Sequence, residues 1–338
     1  MPNFGNVSSH PAGGATSAGA NGRMVNMSIC LAIIVPCFNE EDVLPETNRR
    51  LLEELARLES NGLVSSDSGI YYVDDGSTDR TWPLIESLAG LSRQVHGLKL
   101  SRNRGHQHAL LAGLLTVKAD AYVSIDADLQ DDVGAISHMV ERHCAGAEIV
   151  YGVRDSRATD TAFKRGSAEL YYRLMKRLGV DLVYNHADFR LMGRRSVDAL
   201  REYDESNLFL RGIVPLIGYR TDIVYYDRAQ RFAGVSKYPL RKMLAFAFEG
   251  ITSFSIVPLR LITWLGLLVS AFSFLMILYV IYGKLITGAV IPGWASSVVP
   301  IYFLGGIQLL CIGILGEYLS KIYMETKRRP RYVIERSV

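Results

Sequence analysis

Two aspartates one residue apart, Asp126 and Asp128, close the apolar run Ala121 to Ile125. Carboxylate oxygens suit hard divalent cations, and Mg2+ is commonly shared between one or two carboxylates and a substrate's phosphates. A cation held there would act as Lewis acid and template for a diphosphate leaving group. Gln130 stands near enough to add a carbonyl oxygen. An Asp-x-Asp pair by itself is common, and its position after a strand-like run gives it weight. Asn39-Glu40, Asp74-Asp75 and Arg154 follow similar runs. Asp and Asn favour loops for reasons of their own, but that preference is a poor account of four such clusters together.

The elements that must position these groups follow from the hydrophobic pattern. Ile29–Val35, Ile70–Val73, Leu98–Leu100, Ala121–Ile125 and Ile149–Val153 are short apolar runs, which predicts buried parallel strands. Between them, helical segments are expected over 41–59, 81–88, 105–118 and 133–143. In the first of these, Leu44, Leu51, Leu52, Leu55 and Leu58 recur at helical spacing. Strands alternating with helices predict an α/β domain with a mostly parallel sheet covered on both faces. Ligands of such sheets sit beyond the carboxyl ends of the strands, where the four polar clusters fall.

Other site chemistries find less support. There is no Gly-x-x-x-x-Gly-Lys-Ser/Thr loop and no Gly-x-Gly-x-x-Gly after the first strand, which argues against a P-loop ATPase and a dinucleotide dehydrogenase. His106 and His108 lack a convincing third metal ligand, so a structural or substrate-contact role is expected for them. A basic set, Arg154, Lys164, Arg165, Arg228, Arg231 and Lys237, supplies the forks and point charges that suit phosphate oxygens. The net charge of +3 is too small to suggest nucleic acid as a partner. The four cysteines, Cys30, Cys37, Cys144 and Cys311, show no metal-ligand spacing and read as reduced thiols.

The chain divides by composition. Residues 1–26, rich in Gly, Ala, Ser and Asn, read as a flexible tail. The catalytic part is expected over 27–237. Leu240, Met243, Leu244, Ala247, Phe248 and Ile251 form one apolar helical face, and Arg241 and Lys242 lie off it. This predicts an amphipathic juxtamembrane helix over 238–257, lying on an anionic leaflet. Leu261–Tyr282 is uncharged and long enough to cross a bilayer, and Val298–Gly316 forms a second span after a break near Pro292, so two spans are expected within 258–322. Residues 323–338 read as a basic tail. Arg241, Lys242 and Arg260 precede the spans and Lys321, Lys327, Arg328, Arg329 and Arg331 follow them, with only Lys284 between. Both termini and the catalytic part are therefore expected in the cytoplasm, with the protein multi-pass in the cytoplasmic (inner) membrane.

Six stretches together resemble one family: Val35-Pro36-Cys37-Phe38-Asn39-Glu40, Val73-Asp74-Asp75-Gly76-Ser77-Thr78-Asp79, Ser101-Arg102-Asn103-Arg104-Gly105-His106, Asp126-Ala127-Asp128-Leu129-Gln130-Asp131, Asp188-Phe189-Arg190-Leu191-Met192 and Gly234-Val235-Ser236-Lys237-Tyr238. The set resembles the inverting family-2 glycosyltransferases that act on polyisoprenyl phosphates. That branch includes dolichol-phosphate mannose synthase and the GtrB-type bactoprenol glucosyltransferases, and two C-terminal spans look most like the latter. The resemblance implies a GT-A, Rossmann-like fold. It implies that Pro36, Phe38, Glu40, Val73 and Asp75 hold the nucleoside, and that Asp126, Ala127 and Asp128 meet the diphosphate. Asp128 and Gln130, with Asp126, would contact Mg2+ or Mn2+. Arg154, Arg231 and Lys237 match positions that bind the phosphates of the nucleotide sugar. Lys164, Arg165, Arg228, Ser236 and Lys237 are assigned to the acceptor phosphate, and Asp188 matches a proposed catalytic base. A homo-oligomer, a tetramer in the family, is also implied. Arg104, Asp132 and Gly193 depart from the common pattern.

The implied reaction moves a hexose, glucose from UDP-glucose, to undecaprenyl phosphate with inversion. GDP-mannose with dolichyl phosphate is the nearest alternative, and a catalytically silent membrane scaffold is a rival of another class. A phosphate monoester has a second pKa near 6 and is mostly a dianion at about pH 7. A strong base at Asp188 is then hardly required, and an orienting role is expected for it.

Overall fold

The computed structural model describes residues 28–154, 186–205, 209–227, 257–282 and 293–338. The expected tail 1–26, most of the amphipathic helix, and Lys164, Arg165, Arg228, Arg231, Ser236 and Lys237 lie outside the described residues.

Strand β1 (Leu31–Cys37) is central and fully buried. It pairs in parallel with β2 (Gly69–Asp74) on one side and β4 (Ala121–Ser124) on the other. Next to β2 comes β3 (Val95–Leu100), also parallel. Beyond β4 lie β6 (His186–Gly193), antiparallel, then β5 (Ile149–Arg154) and β7 (Thr221–Tyr226). The sheet order is β7-β5-β6-β4-β1-β2-β3-β8, so six strands share one direction and β6 and β8 oppose them. The mostly parallel α/β sheet expected from the sequence is present.

Alternation along β1 divides the core. Leu31, Ile33 and Val35 enter one apolar cluster, and Ala32 and Ile34 enter the other. Helices α1 (Leu44–Ser60), α2 (Thr81–Leu91) and α4 (Ala135–Cys144) cover the first face. Helices α3 (His106–Thr116), α5 (Arg194–Arg201) and α6 (Leu210–Leu216) cover the second. The leucine stripe of α1 is the buried face predicted for it: Leu44, Leu51, Leu55 and Leu58 are fully buried. Gly113 lets α3 approach β1 closely, because a Cβ there would collide with Ile34.

Strand β1 runs two residues further than expected, through Pro36. The N–H of Ile125 bonds to the carbonyl of Ile34, so even-numbered residues of β1 turn toward β4. Pairing with β4 ends at Ile34, so the missing N–H of Pro36 breaks no ladder bond.

Two long helices follow, α7 (Val257–Tyr282) and α8 (Trp294–Thr326). Each carries a stretch apolar and long enough to cross a membrane, with mean hydropathy 1.8 and 1.5 and none of either stretch buried. Leu267, Leu268, Phe272, Leu309 and Leu310 are among their exposed large side chains.

The end of the chain departs from the sequence reading. Helix α8 continues to Thr326, and the stretch expected as a basic tail then returns to the domain. Ile334–Ser337 forms β8, an antiparallel edge strand on β3. Gly97 and Val338 exchange both backbone hydrogen bonds at 2.9 Å, and Ser101 donates to the carbonyl of Val333. Lys99 pairs with Glu335, and Arg331 donates to the carbonyl of Tyr203 at 2.7 Å.

Candidate active site

The carboxyl ends of β1, β2, β3, β4 and β5 open on one edge of the sheet, and the loops there are bolted to one another. Asn39 takes a left-handed conformation with φ of 55°. Its amide N–H donates to Ser77 Oγ at 3.0 Å, and its side-chain oxygen accepts from the N–H of Thr78 at 2.9 Å. Glu40 N–H donates to Thr81 Oγ1 at 2.8 Å. The β1 and β2 loops therefore form one unit. Phe38 stands on it 44% exposed, an aromatic face available to a ligand.

Asp75 is buried and holds the next loop. Its Oδ1 accepts from the N–H of Arg104 at 2.7 Å and its Oδ2 from that of Gly105 at 2.8 Å. Burial pushes its carboxyl up, and those two bonds pull it back. Gly76, with φ of 70°, is required where this turn meets residues 102 and 103: a Cβ would come within 2.7 Å of the Asn103 nitrogen. Pro36 and Val73 lie inside the sheet. Val73 is fully buried in the apolar core.

After β4 the chain makes a tight return. Leu129 is buried in a left-handed conformation, φ 57°, an uncommon and strained state for a leucine. Gln130 N–H donates to Asp128 Oδ1 at 3.2 Å, closing the turn. The carbonyl of Ala127 accepts from Thr47 Oγ1 at 2.7 Å, tying the turn to α1. Asp126 stays partly open. Desolvation by the surrounding protein pushes its pKa up to about 6; His106 pulls the other way, and Asp188, Asp131 and Asp128 add to the rise. This crowding of negative charge is what a divalent cation relieves. Two carboxylates and one amide oxygen fit a hard cation that completes its shell with substrate phosphates, and among the described residues no cluster of three His, Cys, Asp or Glu offers an all-protein cage.

Asp188 lies on β6, opposite β4, and is 8% exposed. Arg190, two residues on and therefore on the same face of the strand, donates to its Oδ1 at 3.0 Å. Arg211 of α6 grips it side-on, Nε to Oδ1 at 3.1 Å and Nη2 to Oδ2 at 3.0 Å. His106 Nε2 stands 3.6 Å from Asp188 Oδ2 and 3.5 Å from Asp126 Oδ1. Burial pushes the Asp188 carboxyl up, but His106, Arg211 and Arg190 outweigh it and hold it well below the usual carboxylate range. Desolvation lowers His106, yet Asp188 and Asp126 leave it raised overall.

Arg154, at the end of β5, is steered from behind. Its Nη2 donates to buried Asp131 at 3.2 Å and its Nε to Tyr226 Oη at 3.3 Å, while Tyr226 itself donates to Asp131. Asp128, Asp131 and Asp188 thus gather around Asp126, Arg154 joins them through Asp131, and Gln130 follows in the Asp128 turn. Arg190, Arg211, Asp131 and Tyr226 were missed, and so was the bridging place of His106. The strand alternation of Asp188-Phe189-Arg190 was the available signal, since opposite charges two apart on a buried strand must meet.

Comparison with known proteins gives the family. A model of glycosyl transferase family 2 matches residues 32–201. An uncharacterised glycosyltransferase of Bacillus subtilis, YkoT, is 53% identical over 90% of this chain and 91% of its own. The prophage-derived bactoprenol glucosyl transferase of Shigella flexneri is 41% identical over 91% of this chain and 98% of its own. The chain belongs to glycosyl transferase family 2 and is a transferase enzyme. A looser likeness, TM-score 0.43 and 18% identity, links 66% of this chain to 76% of glucosyl-3-phosphoglycerate synthase from Mycobacterium tuberculosis, a structure solved with Mn2+, UDP and phosphoglyceric acid.

Proposed function

We propose that this enzyme transfers glucose from UDP-glucose to undecaprenyl phosphate at the cytoplasmic face of the membrane, inverting the anomeric centre. The observation that carries the reading is a phosphate-suited site, Asp126, Asp128, Gln130 and Arg154, in one chain with two helices whose apolar surface water would not tolerate. The 41% identity to bactoprenol glucosyl transferases supports the same acceptor and sugar.

Phe38, Glu40 and the backbone around Pro36, Val73 and Asp75 form the floor for the nucleoside. Asp128 and Gln130, with Asp126, would hold Mg2+ or Mn2+, which when bound neutralises charge on the leaving diphosphate. Arg154, fixed by Asp131 and Tyr226, adds a preorganised positive charge on that side. An oxygen of the acceptor phosphate forms the new bond to the anomeric carbon from the face opposite the diphosphate. The bond from that carbon to UDP breaks, and its electron pair leaves with UDP. The acceptor dianion has no proton to lose at about pH 7. Asp188, held by the guanidinium groups of Arg190 and Arg211 and approached by His106, is an orienting carboxylate in this scheme.

Arg231, Lys237, Lys164, Arg165, Arg228 and Ser236 are proposed to add phosphate contacts, and 238–257 to lie along the leaflet. The pairing of β8 with β3 supports the topology: the chain returns to the sheet it left, which requires an even number of crossings between them. The proposal includes the multi-pass placement, cytoplasmic termini and a homo-oligomer.

The test is a donor panel with one lipid acceptor. Purified protein, Mg2+ and undecaprenyl phosphate are incubated with labelled UDP-glucose, UDP-galactose and GDP-mannose. Glucose transfer alone is expected, and mannose transfer would reassign the donor.

A further inference from the structure

Taking the lipid-phosphate transfer proposed above as given, we infer that Arg211 receives the acceptor's phosphate, and that Asp188 is a positioning residue that fixes its guanidinium. Of the two, only the arginine reaches solution: the Arg211 side chain is 40% exposed and that of Asp188 is 8% exposed. The side-on pair through Nε and Nη2 fixes the plane of a rigid, five-donor fork. A planar guanidinium of fixed orientation is the group best matched to phosphate oxygens. Its helix is held as well, since the N–H of Leu210 donates to Gln107 Oε1, beside His106, at 2.9 Å.

Position argues for the acceptor rather than the donor. Contacts link Asp126 to His106, His106 to Asp188 and Asp188 to Arg211. One end is a carboxylate that serves the departing diphosphate. Displacement with inversion brings the nucleophile to the face of the sugar opposite the diphosphate, and Arg211 is set off from Asp126 by two intervening side chains, His106 and Asp188. A phosphate dianion approaching buried Asp188 would be repelled without a cation between them, and Arg211 is that cation.

Arg211→Gln and Arg211→Lys test this by steady-state kinetics with each substrate varied in turn, by UDP titration with Mg2+, and by calorimetric titration of farnesyl phosphate into enzyme saturated with UDP. Arg211→Gln is expected to raise KM for undecaprenyl phosphate and Kd for farnesyl phosphate about tenfold or more, as loss of a bidentate charged contact does. KM for UDP-glucose and Kd for UDP should stay within about threefold, the scatter expected of a residue that does not touch the donor. Arg211→Lys, which keeps charge without the fork, should recover only part of the loss. A matching melting temperature separates this from misfolding. Unchanged acceptor constants in both variants, or UDP binding lost in equal proportion, would overturn the assignment while leaving the transferase reading intact. An inactive wild type across all donors would instead remove that reading, and the assignment with it.

Discussion

Asp188 and Arg190 form a buried ion pair at 3.0 Å across one face of β6, and the arginine is 1% exposed. A carboxylate in such a setting is already ionised and already hydrogen-bonded. Asp188→Asn should therefore lower turnover, and raising the pH should restore little of it, because proton removal is not what the carboxylate supplies. Its folded pKa is depressed, so the stability it contributes is complete above its unfolded value, about 3.9, and is lost as pH falls through the folded one. A pH–rate profile of the variant from pH 6 to about 9 checks the first point. Full rescue at high pH would mean that Asp188 is a base.

Arg190→Met leaves Asp188 buried with one cation fewer. Removing one partner of a buried pair costs about 3–5 kcal/mol, and Arg211 and His106 bring the expected loss to the lower end. Thermal or urea unfolding of the solubilised enzyme measures it.

Asp126 presents the opposite case. Its pKa is raised to about 6, so in the metal-free protein the ionised form opposes folding, and stability falls as pH rises from about 4 through 6. Asp126→Asn should stabilise the metal-free protein at pH 7 by on the order of 1 kcal/mol, the shift discounted for partial exposure. The same variant should lose Mg2+-dependent UDP binding. Melting curves with EDTA and UDP titrations with Mg2+ read the two effects separately.

Much of this was legible in the sequence. The apolar runs of β1, β2, β4 and β5 are continuous because both faces of a parallel sheet are covered, and their breakers put Asp75, Asp126, Asp128 and Arg154 at one edge. The stripe of α1 fixed which of its faces is buried. The partners of Asp188 were harder to see. Arg211 lies 23 residues from it, on a helix too short for a strong periodic signal. Strand β8 was hidden for a similar reason: Ile334–Ser337 is four residues long and mostly exposed, and it is defined by its pairing with β3 rather than by its own pattern.

That pairing bears on the proposed donor site. Strand β3 leads directly into the loop whose Arg104 and Gly105 N–H groups bind Asp75, and Arg104 also donates to the carbonyl of Pro330 at 3.4 Å. Deleting residues 332–338 should loosen this loop and weaken UDP binding by about tenfold, on the order of one or two lost hydrogen bonds. It should also expose the β3 edge to self-association. UDP calorimetry and light scattering of the truncated protein check both.

The central claim is tested most directly by mass and NMR analysis of the lipid formed from UDP-glucose, Mg2+, undecaprenyl phosphate and purified enzyme. A β-linked glucosyl phosphate lipid, released with one equivalent of UDP and abolished by EDTA, is the predicted result. No lipid-linked sugar from any nucleotide sugar, or a product with the donor's α configuration retained, would contradict it.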